Sequence, residues 1–372
     1  MNSFKVCVYA ICKNEEQFVD RWVDSMNEAD VIVVTDTGSD DNTVKKLQSR
    51  GAIVHVEEIK PWRFDTARNI SLSHVPDDID ICVCTDLDEI FQSGWRQKLE
   101  EAWQKNHSQV DNPVARTGRY LYNWSLKPDG TPDVQFNYFK VHERQGFRWR
   151  CPVHEYVQYI GNLPLETIFI DGMVLNHYPD AAKSRNSYLP LLELAVKESP
   201  TDDRMCYYLG REYMYKEEWQ KCINTLSDYL MLPTATWREE RCAAMRWMAK
   251  SCSRLGQVKT AYSWYYKAIA EAHHMREPYV EFAKLCYEQK DWPMSYFLAE
   301  EALKIKEKSS TYINMGHSWD HTPDDLCAIA AYRLGMFSKS LEHAKRALEY
   351  LPDNKRLKNN LEIIQESANC IK

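Results

Sequence analysis

The sequence contains 12 cysteines but no pair spaced as C-x-x-C and no zinc-finger spacing. This absence excludes metal fingers and dithiol redox proteins of the usual pattern. Several cysteines, such as Cys7, Cys82 and Cys252, lie in apolar segments. Buried, reduced thiols of this kind are typical of proteins in a reducing compartment, so we expect a cytoplasmic location.

Long apolar runs are also missing. No window approaches 18 consecutive apolar residues, and the N-terminus has no signal-peptide pattern, so we expect neither a transmembrane segment nor secretion. An excess of positive charge is missing too, because the net charge is −9 over residues 1–180 and +2 over residues 181–372. Neither half has the basic balance of a nucleic-acid-binding protein. An acidic half that binds an anionic ligand needs a cation or a local basic cluster.

The first half of the chain alternates strand-like and helix-like segments. Short apolar, β-branched runs are separated by segments with helical spacing, which predicts an α/β domain with a mostly parallel sheet and helices on both faces. Further strand-like segments over residues 113–178 predict antiparallel additions to that sheet. The predicted strands are 4–12, 29–36, 52–59, 79–86, 113–124, 134–142, 155–161 and 167–178, and the predicted helices are 15–26, 38–51 and 64–75.

From about residue 182 the pattern is helical and repeats with a period near 34 residues. Small residues recur near the eighth place of each unit, at Gly210, Ala249, Ala283 and Ala328, and their spacings of 39, 34 and 45 fit a 34-residue unit with two insertions. The pattern resembles tetratricopeptide repeats, and the alternative is an unrelated helical bundle. We therefore predict two domains, residues 1–180 and an all-α tetratricopeptide-like solenoid over residues 181–372.

The stretch "ICVCTDLDEI" (81–90) ends a predicted strand in three acids, Asp86, Asp88 and Glu89. Ligands of parallel sheets bind beyond the carboxyl ends of the strands. On an extended chain Asp86 and Asp88 project to the same side, and Glu89 lies opposite Asp88. This predicts that the aspartates share Mn²⁺ or Mg²⁺ with an anionic ligand, and that Glu89 is structural or supports the site from outside the ligand set. The alternative is an acidic loop with a helix-capping aspartate.

Four segments in this order resemble family 2 glycosyltransferases of the GT-A (Rossmann-like) fold. They are "YAICKNEE" (9–16), "VVTDTGSDDNT" (33–43), "FDTARN" (64–69) and "DLDE" (86–89), and the resemblance covers about residues 5–180. It implies a D-x-D motif, a nucleotide-sugar donor, which we expect to be a UDP-sugar, and a divalent metal. A transferase followed by repeats also resembles bacterial enzymes that attach sugars to peptides. The implied function is metal-dependent, inverting transfer of a hexose to a peptide or protein.

The resemblance also implies roles for individual residues. Asp36 could instead be a turn residue, Arg68 a surface ion pair and His177 a half-buried structural histidine. The implied roles are Ala10 and Cys12 in the nucleoside pocket, Asp36 as acceptor from the base, Arg68 and Asn69 near the base or diphosphate, Asp86 at the ribose or the metal, and Asp88 and His177 as metal ligands.

The catalytic base is predicted within "RWRCPVHEY" (148–156), where His154 and Glu155 resemble a His-Glu element of related enzymes. Inverting transfer needs a base that removes the acceptor's proton. Strand alternation would aim these two side chains in opposite directions, so at most one faces the acceptor. The paired-acid base common in this family has no clean match.

Other functions stay open from the sequence. The chain could be a non-catalytic interaction protein whose transferase domain is degenerate, or a transferase that acts on a glycan or on modified DNA. A nucleotidyl-transfer enzyme on a similar sheet would need a glycine-rich phosphate loop, and none occurs. Repeat solenoids present concave binding surfaces, so the helices are expected to select the acceptor and could also mediate homo-oligomer formation.

Overall fold

The computed structural model describes residues 4–107, 113–180 and 188–369. The chain divides into two compact units, residues 1–195 with 310–312 and residues 196–309 with 313–372. The predicted boundary after residue 180 lies 15 residues earlier. The difference arises because helix α5 (Tyr188–Glu198) begins in the first unit, where the Tyr188 ring packs edge-on against Phe64 and His154 at centroid distances of 6.2 and 5.6 Å.

The first unit is built on an eight-stranded sheet with the strand order β3-β2-β1-β4-β7-β6-β10-β5. β1 to β4 are parallel, β7 is antiparallel to both β4 and β6, and β10 is parallel to β6 and antiparallel to β5. The predicted mostly parallel sheet with antiparallel additions is therefore confirmed. The strands are β1 (Val6–Cys12), β2 (Val31–Asp36), β3 (Ile53–Val56), β4 (Ile81–Cys84), β5 (Glu89–Phe91), β6 (Ala115–Leu126), β7 (Pro132–Glu143), β8 (Phe147–Arg150), β9 (Tyr156–Tyr159) and β10 (Leu165–His177).

Two short strands differ from the prediction. β5 has only three residues and begins with Glu89, the last of the acids, so no apolar run in the sequence indicates it. β9 pairs with β8 in a separate two-stranded sheet and does not extend the main one. Residues 151–154 are bends, residue 155 has no regular secondary structure, and His154 has a φ of 51°. Neither His154 nor Glu155 lies on a strand, so the expected alternation of their side chains is wrong.

Helices cover the sheet because each has one apolar stripe. In α1, Val19, Trp22, Val23 and Met26 are buried against the sheet residues of the main core. Since β1 is buried along its whole length, the sheet is covered on both faces there. The helices of this unit before α5 are α1 (Val19–Met26), α2 (Thr43–Ser49), α3 (Phe64–Ser73) and α4 (Trp95–His107).

After the sheet, the described chain contains ten α-helices in a tetratricopeptide-like arrangement. Consecutive helices from α6 onward pack as hairpins. None of the described helices is both long enough and apolar enough to cross a membrane. Following α5, the helices are α6 (Asp203–Tyr215), α7 (Trp219–Met231), α8 (Arg238–Arg254), α9 (Val258–Glu271), α10 (Glu277–Glu288), α11 (Trp292–Lys304), α12 (Thr322–Arg333), α13 (Phe337–Tyr350) and α14 (Lys355–Asn369).

Small residues occupy equivalent positions in the four hairpins. The four predicted small residues are buried on the first helices of the hairpins, and a second buried small residue follows each of them 12 positions later. Ser295 Oγ donates to the Ala283 carbonyl at 3.0 Å, and Ser340 Oγ donates to the Ala328 carbonyl at 2.7 Å. Small side chains at these crossings let the paired helices approach closely. The pairs are Gly210 and Cys222, Ala249 and Ala261, Ala283 and Ser295, and Ala328 and Ser340.

Candidate active site

The chain after β4 makes a turn between Asp86 and Glu89, the first residue of β5, and does not continue as an extended strand. The Glu89 amide donates to the Asp86 carbonyl at 3.1 Å, and the Asp86 amide donates to Glu89 Oε2 at 2.9 Å. Because the chain folds back here, the expectation that Asp86 and Asp88 project to one side of a strand is wrong. Asp88 instead lies beside His177, whereas Asp86 and Glu89 both lie near Lys140.

Asp86 is held between two buried cations. Arg68 Nη2 donates to Oδ1 at 2.6 Å, and Lys140 Nζ donates to Oδ2 at 3.0 Å. Burial alone would raise the pKa of Asp86, but the charges of Arg68 and Lys140 hold it far below the usual range of an aspartate. Both carboxylate oxygens are therefore engaged by side chains, and the structure does not direct Asp86 towards Asp88 and His177.

Lys140 is a site residue that the sequence analysis missed. It is 4% exposed, and its ammonium lies 3.0 Å from Asp86, 3.8 Å from Glu89 Oε2 and 4.8 Å from the centroid of the Tyr138 ring. Burial lowers the pKa of Lys140, but the two carboxylates outweigh burial and raise it well above its ordinary value. The signal in the sequence is a single lysine inside an aromatic strand, "FNYFKVH" (136–142). The β4–β7 register, with Val83 opposite Val141, brings Lys140 to the end of β4.

Asp88 and His177 form a second pair. Asp88 Oδ2 lies 3.6 Å from His177 Nε2, and the side chains are 10% and 11% exposed. His177 Nδ1 donates to the Trp124 carbonyl at 3.0 Å, so Nε2 faces the carboxylate. Burial lowers the pKa of His177, but the Asp88 carboxylate and the Trp124 carbonyl raise it overall. The Trp124 ring stacks on the imidazole at 4.7 Å and is 42% exposed, so an aromatic face borders the site.

Strand pairing explains how His177 reaches Asp88, which lies 89 positions earlier in the chain. β5 pairs with β10 so that Glu89 lies opposite His177, and the Tyr178 amide donates to the Asp88 carbonyl at 2.8 Å. Glu89 is 1% exposed and accepts from Tyr122 Oη at 2.8 Å. Burial and the neighbouring aspartates raise the pKa of Glu89. Glu89 thus stabilises the turn through its hydrogen bond to the Asp86 amide, and its buried carboxylate lies near Lys140.

The predicted base residues lie apart. Glu155 Oε1 accepts from Arg68 Nε at 3.0 Å, so Arg68 links Glu155 to Asp86. Arg68 is 3% exposed, lies 5.4 Å from the centroid of the Trp149 ring, and has a raised pKa because burial is outweighed by Asp86 and Glu155. It is therefore a buried ion pair and not a surface one. His154 packs its ring against Tyr188 instead.

The other residues that were predicted to bind the nucleotide-sugar donor are buried or contact other parts of the protein. Ala10 and Cys12 are 0% and 4% exposed, so their side chains belong to the core at the end of β1. Asp36 is fully buried, and its Oδ1 accepts from the Gly38 and Ser39 amides at 3.0 and 2.8 Å. It closes its own turn, as the alternative assignment proposed.

Asn69 is the last of these residues. The Asn69 side chain forms two hydrogen bonds with the Trp149 backbone. Its Nδ2 donates to the Trp149 carbonyl at 3.0 Å, and its Oδ1 accepts from the Trp149 backbone N–H at 2.9 Å. Both ends of the side chain are therefore occupied. The structure places Asn69 beneath the strand that carries Trp149, and not as a free group at the diphosphate.

The site carries a formal excess of negative charge. The carboxylates of Asp86, Asp88, Glu89 and Glu155 outnumber the two cations Arg68 and Lys140 by two. A divalent cation would balance this excess, and a carboxylate with an imidazole is a donor set that suits Mn²⁺. The orientation of His177 by a backbone carbonyl is the usual support for a ligating histidine. The residues present therefore fit a divalent metal at Asp88 and His177.

The first unit thus combines a mixed α/β sheet with the Asp88 and His177 pair, and the second unit consists of helical repeats. Residues 7–159 match the model of the family described as Glycosyl transferase family 2, and the chain therefore carries a glycosyltransferase domain of this family. No curated protein matches the chain significantly.

Solved structures similar to this chain include tetratricopeptide-repeat proteins. The structure of MamA is 14% identical with a TM-score of 0.36 and covers 44% of this chain and 81% of its own. Yeast Tom70 is 13% identical with a TM-score of 0.38 and covers 51% and 37%. A tetratricopeptide-repeat protein of Thermus thermophilus is 15% identical with a TM-score of 0.35 and covers 48% and 90%.

Proposed function

We propose that this protein is a metal-dependent, inverting glycosyltransferase that moves a sugar from a nucleoside-diphosphate donor, UDP-linked, to a peptide or protein acceptor. The observation that carries the proposal is the Asp88 and His177 pair, 3.6 Å apart at the sheet edge where ligands of parallel sheets bind. The family of residues 7–159 supports a nucleotide-sugar donor.

Asp88 and His177 are the residues that would hold the cation. An imidazole next to a carboxylate favours Mn²⁺ over Mg²⁺, because Mg²⁺ prefers oxygen ligands alone. When bound, such a cation would stabilise the negative charge on the departing diphosphate. Asp86 has a different role in this proposal, since its carboxylate fixes Arg68 and Lys140 in place and keeps both charged at the site.

Glu155 is proposed as the base that takes the acceptor's proton. Arg68 connects it to Asp86, whereas His154 packs against Tyr188. Attack of the deprotonated acceptor on the anomeric carbon, opposite the leaving diphosphate, inverts that centre. Trp124, exposed beside His177, offers a flat apolar face against which a sugar ring can pack.

The helical unit supports a peptide or protein acceptor. Its hairpins carry small residues at equivalent positions and stack as repeats, and such solenoids bind extended partners along one surface. Exposed aromatic side chains, among them Tyr266 and Phe297 at 49% and 55% exposure, supply apolar contacts on this unit. A cytoplasmic location is proposed as well, because the 11 cysteines in the described part of the chain are all free thiols.

Calorimetry with UDP, with and without Mn²⁺, tests the donor and metal together. We expect Mn²⁺ to tighten UDP binding to the wild type and to have no effect on Asp88→Asn. Asp78→Asn is the matched control, because Asp78 is an exposed acid of the same unit paired with Lys5. Absence of UDP binding to the wild type, or an unchanged Mn²⁺ effect in Asp88→Asn, would contradict the proposal.

A donor screen that measures UDP release identifies the sugar, and intact-mass analysis of peptide, glycan and nucleic-acid acceptors identifies the acceptor class. We expect a mass increase on peptide alone. Transfer to glycan or DNA would retain the transferase assignment and refute the peptide acceptor. Glu155→Gln should lower kcat strongly while UDP affinity stays the same.

A further inference from the structure

Three consecutive helices of the second unit bring chemically different donor groups to one point. Glu300 lies on α11, Cys327 on α12 and His343 on α13. One ligand atom from each, a carboxylate oxygen, a thiol sulfur and an imidazole nitrogen, lies within 4.8 Å of the other two. We call these three residues the three-helix cluster. It takes no part in the glycosyltransferase site described above.

The imidazole of the cluster is held by a carboxylate outside it. His343 is 1% exposed, with Nδ1 2.8 Å from Asp324 Oδ1 and Nε2 2.6 Å from Glu300 Oε1. Arg346 Nη2 lies 2.6 Å from His343 Nδ1, and Arg346 Nε donates to Asp324 Oδ1 at 2.8 Å, so the guanidinium shares the Asp324 carboxylate with the imidazole. A histidine whose Nδ1–H donates to a carboxylate presents Nε2 as a ligand, which is the usual outer support of a metal-bound histidine.

A protonated His343 between two carboxylates would account for the histidine and the acids, but not for the cysteine. Cys327 is fully buried, and its thiol is directed towards Glu300 and His343. A cation would give all three donors one common partner.

We propose that Glu300, Cys327 and His343 bind Zn²⁺, with Asp324 orienting His343. One sulfur, one nitrogen and one oxygen ligand form a donor set that suits this borderline-soft ion, and a water molecule would complete a tetrahedral site. Zn–N and Zn–O bonds of about 2.0 Å separate the two ligand atoms by roughly 3.3 Å. The Nε2–Oε1 distance must therefore open, and Glu300, whose side chain is 33% exposed, can turn outward and leave the ion a route to solvent.

The expected consequence is a metal link across α11, α12 and α13. Each ligand comes from a different helix, so binding would tie together two successive hairpins. Binding also replaces the thiol proton of Cys327, and structural zinc sites convert such binding energy into folding stability. The link would raise the midpoint of thermal unfolding of the second unit when Zn²⁺ is present.

Cobalt substitution of the full-length protein tests the site directly. We expect Co²⁺ added to the metal-free protein to give thiolate-to-cobalt charge-transfer absorption and the visible bands of a tetrahedral ion, both displaced by Zn²⁺. Cys327→Ser should abolish the charge-transfer band. Cys286→Ser is the matched control, because Cys286 is equally buried on α10, and it should retain the band.

Two further variants make the outcome unambiguous. Asp88→Asn, which removes the proposed metal ligand of the first unit, should retain the band because that site has no sulfur ligand. Asp324→Asn should weaken Zn²⁺ binding about 10- to 100-fold, as loss of an outer carboxylate does elsewhere. Absence of the band in the wild type, or its persistence in Cys327→Ser, would overturn the proposal, and the wild-type spectrum does not depend on any variant folding.

Discussion

Acid should destabilise the first unit through His142, which lies at the end of a buried hydrogen-bond chain. Trp149 Nε1 donates to Tyr9 Oη at 2.9 Å, Tyr9 Oη lies 2.8 Å from His142 Nε2, and His142 Nδ1 donates to the Glu143 carbonyl at 2.7 Å. Both ring nitrogens are thus used by a neutral imidazole. Burial, the largest cause, lowers the pKa of His142 to about 4. Trp149 in turn packs against Arg68 at the candidate site.

The sign of the effect follows from the two pKa values. The unfolded chain binds a proton near pH 6.5, whereas folded His142 does so only near its pKa of about 4. The stability that neutral His142 contributes is therefore complete above pH 6.5 and is lost as the pH falls towards 4. The full loss is about 3 kcal/mol, of which about 2.5 kcal/mol is gone at pH 4.5.

Urea titrations of the wild type at pH 7.5 and 4.5 measure this loss of stability. Unfolding of the first unit is monitored by hydrogen–deuterium exchange of peptides from β1 and β7. We expect His142→Gln to lack the His142 part of the pH dependence. His107→Gln, which removes an exposed histidine, should match the wild type. NMR of labelled histidines should show one ring, absent in His142→Gln, that titrates near pH 4. Titration of that ring near pH 6.5, or equal pH dependence in the wild type and His142→Gln, would refute the reasoning.

Other substitutions test the site and the repeats. Lys140→Met leaves Asp86 and Glu89 without their shared cation and should destabilise the first unit by about 3–5 kcal/mol in urea unfolding. It should also weaken UDP binding in calorimetry, whereas exposed Lys127→Met should do neither. Gly210→Ala places a methyl group 2.3 Å from Leu226 Cδ2 and should destabilise the α6–α7 hairpin by about 1–3 kcal/mol. Adding Leu226→Ala should be less harmful in that background than in the wild type, and additive effects in the double-mutant cycle would contradict the close contact.

Local pattern was sufficient for the four parallel strands β1 to β4 and for the repeats. Apolar β-branched runs separated by helical periods identified β1 to β4, and the parallel order placed their polar ends at one edge. The recurrence of small residues identified the hairpins, because close helix crossings admit only small side chains. Both are properties of neighbouring residues, which the sequence displays directly.

The candidate site was only partly visible in the sequence. Asp88 and His177 are brought together as expected, yet the reason is the pairing of β5 with β10, and no local pattern announces that three-residue strand. Asp86 and Asp88 were expected to act together on an extended chain. The turn at 86–89 separates them, since a single backbone hydrogen bond is enough to reverse the direction in which successive side chains point.

Lys140 shows most clearly what the tertiary structure decided. The sequence by itself determined that acids cluster at the end of β4 and that such a cluster needs positive charge nearby. Which charge arrives depends on the register of β7 beside β4 and on α3, which supplies Arg68. Carboxylates interact with whatever lies within a few ångströms, and those neighbours come from segments 18 and 54 positions away in the chain. Composition and local spacing show that the acids need a positive charge nearby. Only long-range packing determines which residue supplies that charge.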